Sequence, residues 1–143
     1  MTTKREAVLA AFHSLLAASL STKVLRNEVL PERIPAGGLV ILRDGDPGQP
    51  EALLSPLTWL WEHKAMLEVF AIGATAAERG TRMDAVLSAV GIAVEGDRTL
   101  GGLCDWVQPQ APAVEEIAEE GVMPIQAATV PILLVYASAD PLG

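Results

Sequence analysis

The residues of this chain that could perform chemistry are few and widely separated. The 143 residues include one cysteine, Cys104, and two histidines, His13 and His63. A zinc site needs several His, Cys or acidic ligands at suitable spacing, and no paired Cys or His spacing occurs. Asp105 follows Cys104, and a neighbouring carboxylate opposes thiolate formation and hence nucleophilic activation. We therefore predict no metal site, interpret Cys104 as a buried small apolar residue, and assign both histidines structural roles.

The sequence motifs of several enzyme classes are also missing or incomplete. There is no G-x-x-x-x-G-K-[ST] or G-x-G-x-x-G phosphate motif and no G-x-S-x-G nucleophile elbow. Gly101-Gly102 is too short to hold a phosphate and is interpreted as a turn. Asp44 and Asp46 flank a glycine as in a calcium loop, but the remaining ligands do not follow. We predict a polar turn there, with no catalytic residue, no cofactor and no enzymatic activity.

Three large side chains are candidates for contacts rather than for catalysis. Trp59 and Trp61 lie two residues apart, and they either pack in the core or anchor an interface, where tryptophan is enriched. Arg79 lies in the first turn of a predicted helix, where a cation opposes the helix dipole. Either its aliphatic stem lies along the rim of the core, or its guanidinium pairs with an acid on a neighbouring subunit.

Two capping boxes predict the helices that must support these residues. Thr3 to Glu6 and Thr75 to Glu78 each place a hydroxyl at the N-cap and a carboxylate three residues later. Apolar residues follow each box at helical spacing. The pattern predicts helices from about 6 to 20 and from about 76 to 90 or slightly beyond, with His13 at the edge of the first apolar stripe.

Alternation of apolar and polar residues predicts a long strand from Leu57 to Phe70, with His63 on its apolar face. Shorter strands are predicted at 39–43, 103–107 and 126–137, and Pro131 suggests an edge position or a bulge in the last of these. Segments 44–50 and 109–121 are predicted to be loops, the first a hairpin tip. Because two amphipathic helices need a sheet face to cover, we expect one two-layer α+β domain over residues 1–143. Its mainly antiparallel sheet would have about four strands and a long projecting hairpin.

Composition and charge exclude several classes of function. The net charge is −8, with 10 basic against 18 acidic residues, whereas duplex binding depends on Lys and Arg. The acids are interpreted as a solvated face, or alternatively as a surface that DNA passes without binding. No apolar run is long enough to span a membrane, and no signal peptide is expected. Synthesis in the cytosol fits these features.

Several segments together resemble a family of small proteins encoded among the tail genes of phages and prophages, some of which are labelled acyl-CoA transferases. No residue in this chain supports that enzymatic label. The resemblance spans nearly the whole chain and is carried by residues 24–28, 37–45, 62–64, 97–106 and 136–141.

The order of elements is similar to that of tail terminators of long-tailed phages. The resemblance implies a virion protein, made in the host bacterial cytoplasm, that forms a hexameric ring at the head-proximal end of the tail. Its implied partners are other copies of itself, the tail tube protein and the head-completion or connector protein. DNA would pass through the lumen without specific binding, and no membrane is involved.

We expect the subunit and tube contacts on the hairpin from Arg43 to Trp61. The candidate interface residues are Arg43, Asp44, Asp46, Trp59, Trp61 and Arg79. Three alternatives remain open at this point: another head–tail joining or tail completion protein, a small-ligand-binding α+β regulatory domain, and a small transferase or hydrolase.

Overall fold

The computed structural model describes residues 2–118 and 120–143, which form two helices and seven strands. The helices are α1 (Lys4–Ser19) and α2 (Ala76–Gly96). The strands are β1 (Lys23–Arg26), β2 (Leu39–Asp46), β3 (Glu51–Leu53), β4 (Thr58–Ile72), β5 (Trp106–Pro109), β6 (Ala113–Ile117) and β7 (Ile125–Ser138).

Both helices begin at the predicted capping boxes. The Thr3 hydroxyl accepts a hydrogen bond from the Glu6 amide (3.1 Å), and the Thr75 hydroxyl accepts one from the Glu78 amide (3.1 Å). Helix α2 runs to Gly96 rather than stopping near 90, because buried residues continue its apolar stripe as far as position 94. In the part of the chain that the structure describes, no helix is long and apolar enough to cross a membrane.

The strands form one sheet in the order β1-β2-β4-β7-β5, with β3 added to β4 and β6 added to β7. Strands β4 and β7 pair without interruption from Trp59–Ser138 to Ile72–Ile125. The β1–β2 pair is parallel and the other pairs are antiparallel. The mainly antiparallel α+β architecture is therefore confirmed. The sheet has seven strands instead of the expected four. Strands β1, β3 and β6 were not predicted, because they are short and carry little hydrophobic pattern.

The main core lies between the two helices and one face of the sheet. Odd-numbered residues of β4 from Trp61 to Val69 point to this face, as the alternation predicts, and even-numbered residues of β7 lie beside them. A smaller cluster lies on the opposite face, where Ile34 packs against Leu39 and Ile41. The helices thus leave most of the second sheet face without a covering layer.

The structure corrects the position of the hairpin tip. Segment 44–50 was predicted to be a loop, but β2 continues to Asp46 through a register shift against β4. Gly45 makes this possible, because its φ of +71° suits glycine and a Cβ there would lie 2.0 Å from the Lys64 carbonyl oxygen. The chain then forms β3, and the tip is the turn at 54–57.

The second half of the sheet differs from its prediction in three places. The strand expected at 103–107 begins only at Trp106, and the predicted loop at 109–121 contains β6. Pro131 lies in a central strand rather than at an edge. Its carbonyl accepts from the Gln110 amide (2.8 Å), between β5 and β6. Since a strand residue's N and O point to the same side, the missing N–H of Pro131 faces the gap between β5 and β6 and not the central partner strand β4.

Candidate assembly interface

Three exposed leucines lie together on a two-stranded extension, which we call the arm (residues 51–60). It consists of β3, the turn at 54–57 and the first residues of β4. Leu54 is 79% exposed and Leu57 is 55% exposed, and Leu53 beside them is also exposed. Apolar side chains grouped at the end of an extension are typical of a contact with another molecule.

The surroundings of the arm are acidic. From position 44 to position 62 the chain carries four acids, Asp44, Asp46, Glu51 and Glu62, and no Lys or Arg. Asp46, one of the expected interface residues, accepts a hydrogen bond from the Gly48 amide (2.9 Å) and so helps to form the turn that leads into β3. Its role in this chain is local, and its exposed position leaves it available to a partner.

The two tryptophans hold the base of the arm. Trp61 is only 4% exposed, its Nε1 donates to the Ser138 hydroxyl (2.9 Å), and its ring stacks on Tyr136 at 6.4 Å between centroids. Trp59 is partly buried and packs at the edge of the same core. Of the two roles left open for these residues, core packing is the one that the structure shows for Trp61.

A series of hydrogen bonds connects Tyr136, whose ring stacks on Trp61, to His63 and to the backbone of Asp44. His63, only 1% exposed, places Nε2 2.5 Å from the Asp44 carbonyl oxygen and Nδ1 2.8 Å from the Tyr136 hydroxyl. A carbonyl can only accept, so Nε2 carries the proton and Nδ1 accepts from the tyrosine in the neutral ring. Burial lowers the pKa of His63 and raises the pKa of Tyr136 to about 12, so both remain uncharged at neutral pH.

Asp44 connects this series of hydrogen bonds to α1. Its carboxylate accepts two hydrogen bonds from Arg26, from Nε (2.9 Å) and from NH2 (3.0 Å), and Arg26 also contacts Glu6 at 2.8 Å. Burial raises the pKa of Asp44, but the hydrogen bonds from Arg26 and Asn27 outweigh it and hold the pKa below its usual value. Asp44 therefore fixes β2 to β1 and the first helix, a structural role that the sequence pattern did not indicate.

Arg43 and Arg79 both pair with acids of their own chain. Arg43 Nε donates to Glu68 (2.6 Å) on the sheet face away from the helices. Arg79 is 7% exposed, and its guanidinium contacts Glu116 of β6 (2.6 Å) and the Gly73 carbonyl (2.9 Å). Within this chain the guanidinium of buried Arg79 therefore pairs with Glu116. Its partner was hidden in a segment predicted to be a loop.

The six expected interface residues therefore do not form one site. Trp61 and Asp44 lie close together at the base of the arm, whereas Arg79 lies near the other end of the sheet. Sequence reasoning missed the three leucines of the arm, since their short strand and turn were not recognised. The absence of any charge from Ala52 to Leu60 was the signal that could have identified them.

Cys104, the one thiol of the chain, is buried. Burial raises the pKa of the Cys104 thiol to about 11, which keeps it protonated and unreactive at neutral pH. Within residues 2–118 and 120–143, no group of three His, Cys, Asp or Glu side chains is placed to hold a metal ion. The polar groups near the arm hold backbone segments of their own chain in position.

No protein-family model and no curated protein matches the chain. Among solved structures, the chain is similar to a protein of the virion of the native gene transfer agent (GTA) particle. The TM-score is 0.54 at 18% identity, covering 90% of this chain and 93% of the other. A chain of the PVC sheath/tube terminator, from an extracellular contractile injection system in its extended state, is more distant. Its TM-score is 0.39 at 15% identity, covering 93% of this chain and 56% of that one. At these values, what is established is that this chain shares its fold with a protein of the GTA virion.

Proposed function

We propose that this chain is a structural virion protein, the tail terminator of a phage-type tail, and has no enzymatic activity. In this role it forms a ring, expected to be hexameric, on the last ring of the tail tube. The ring stops tube polymerisation and presents a surface to the head-completion or connector protein. The observation that carries the proposal is the likeness in fold to a GTA virion protein over 90% of the chain.

The surface of the molecule supports an assembly role. Strand β3 pairs with β4, strand β6 pairs with β7, and every residue of both short strands is exposed. Outer edges of such strands present backbone donors and acceptors that another chain can pair with. Closed rings need two different surfaces on each subunit, and the apolar arm supplies one of them.

The net charge of −8 fits a protein through whose ring DNA moves. A lumen lined by acids makes no phosphate contacts of the kind that Lys and Arg make, so DNA would slide without binding. Localisation at the head-proximal end of the tail follows from the same proposal.

The decisive experiment measures mass and tube length together. Purified protein is examined by light scattering across concentration, alone and with tail tubes, and tube lengths are measured by electron microscopy. We expect a ring-sized species, alone or on the tube end, and tubes that stop growing when the protein is added. A dimer at all concentrations that neither binds tail tubes nor stops their growth would overturn the proposal and favour a ligand-binding regulatory domain.

A variant in the arm links this experiment to the structure. Replacing residues 54–57 with an Asn-Gly turn, which suits a two-residue hairpin, should leave the monomer folded and abolish capping. Residues 44–49 are unsuitable for such a deletion, because Asp44 and Gly45 hold the sheet together. Normal tail lengths with the shortened arm would show that the arm makes no essential contact.

A further inference from the structure

We infer that the arm of one copy docks into a groove at the opposite end of a second copy. This inference rests on the proposed ring and names its receiving surface. The groove, which we call the distal groove, has a volume of about 240 Å³ and lies between the end of α1, the segment before β2 and one side of α2. Its lining includes Leu20, Thr22, Ala36, Arg82, Ala85 and Ala89.

The distal groove lies far from the arm of its own chain. The Arg82 guanidinium donates to the carbonyl of Ile72, the last residue of β4, whereas the arm contains the first residues of that strand. A strand of this length spans about 45 Å at roughly 3.3 Å per residue. The arm therefore cannot fold back into its own groove, and a second copy has to supply it.

The shapes of the two surfaces are complementary. Ala36, Ala85 and Ala89 line part of the groove with small side chains, which leaves room for a larger apolar side chain beside its polar residues. The arm ends in Leu53, Leu54 and Leu57, all exposed in the single chain. Branched side chains of this kind gain burial by entering a recess lined with alanine. One end of the molecule thus supplies the projection and the other end the recess.

The charges are complementary as well. Arg82 is the charged residue in the lining of the groove, and Lys23 follows Thr22 at its edge. The arm and its base carry Glu51 and Glu62, both exposed, with no basic residue between positions 44 and 62. Docking would place these acids near the two cations, which selects the arm over an apolar segment without acids. A contact from arm to groove is head-to-tail, the type that closes rings.

Cysteine cross-linking tests the contact directly. In a Cys104→Ala background, chains with Leu54→Cys are mixed with chains carrying Ala85→Cys in the groove. The control partner carries Gln108→Cys, an exposed position on β5. Mixtures are oxidised at high concentration and on tail tubes. We expect the groove mixture to give about 10-fold more disulfide dimer than the control mixture. Equal yields, or equally strong cross-linking of Leu54→Cys chains alone, would overturn the inference.

A charge swap provides a second measurement. Glu51→Lys and Arg82→Glu should each weaken association several-fold, while the chain with both changes should recover it, since each interface again pairs opposite charges. A double variant weaker than either single one would contradict the contact. If wild-type protein still forms rings and caps tubes while both tests fail, the receiving surface is wrong and the terminator role stands. If wild-type protein neither forms rings nor caps tubes, the proposed function itself fails.

Discussion

The base and the tip of the arm differ in burial and in their contacts with the rest of the chain. At its base, Trp61, His63 and Tyr136 are buried and each polar atom has a partner within the chain. At its tip, Leu54 and Leu57 are exposed and no charge is present. A rigid base with an unsatisfied apolar tip is expected when an extension must present side chains in a fixed direction to another molecule.

The comparison predicts that changes at the base act on stability and changes at the tip act on assembly. The same sheet serves both roles, because β4 runs from the exposed tip through the buried base to the far end of the domain. Substitutions along this one strand therefore separate folding from docking.

Gly45→Ala should have the largest effect. The new Cβ would lie 2.0 Å from the Lys64 carbonyl oxygen, and a φ of +71° is unfavourable for alanine. The bulge has to open, and we expect a loss of about 3 kcal/mol or more in the free energy of unfolding by urea. Gly91→Ala is the matched control, because no heavy atom beyond the neighbouring helix backbone lies within 4 Å of its Cβ position in α2. It should stabilise by about 0.5–1 kcal/mol, and equal effects at both glycines would refute the role of the bulge.

His63→Ala should come next. The substitution leaves a cavity and removes the ring's contacts with Tyr136 and the Asp44 carbonyl, both buried at the base of the arm. Combined loss of packing and of two hydrogen-bond partners should cost about 2–4 kcal/mol in thermal or urea unfolding. His63→Gln, which can still donate and accept, should lose clearly less. If the alanine variant unfolds like wild type, the base is not the rigid element described here.

The pH dependence of stability gives a smaller effect with a definite sign. The folded pKa of His63 lies below its usual value near 6.5, so the unfolded chain binds its proton more readily. The free energy of unfolding therefore has its full value above about pH 6.5, and it decreases as the pH falls from there towards the pKa of His63 in the folded chain. Unfolding free energies measured between pH 5 and pH 8 should decline on the acidic side in wild type. His63→Gln should decline less, and parallel profiles would show that another group titrates.

The sequence could predict those parts of the fold that a pattern among neighbouring residues specifies, and it could not predict those that depend on distant residues. The helix starts and the long strand follow from capping boxes and from sustained alternation, and both are confirmed. The bulge at Gly45 and the strand β6 were missed, because each depends on pairing with a distant residue such as Lys64 or Ala128. The hydrogen bonds that Asp44, Arg79 and His63 make to other side chains were missed for the same reason, since those partners lie 18, 37 and 73 residues away and leave no local pattern.

The last prediction concerns the tip, where the effect on stability should be smallest. Leu54→Ser replaces a side chain that is 79% exposed in the single chain, so the free energy of unfolding should change by less than about 0.5 kcal/mol. If the tip is an anchor in a neighbouring subunit, the same change should weaken association by about 30-fold or more, as expected for a buried interface residue. Ile92→Ser is the control, since Ile92 is 71% exposed on α2 and lies outside the distal groove. Light scattering across concentration measures the association of the two variants. Should the two variants associate equally well, the exposed leucines would have no role in assembly, and the contrast between base and tip would reflect folding alone.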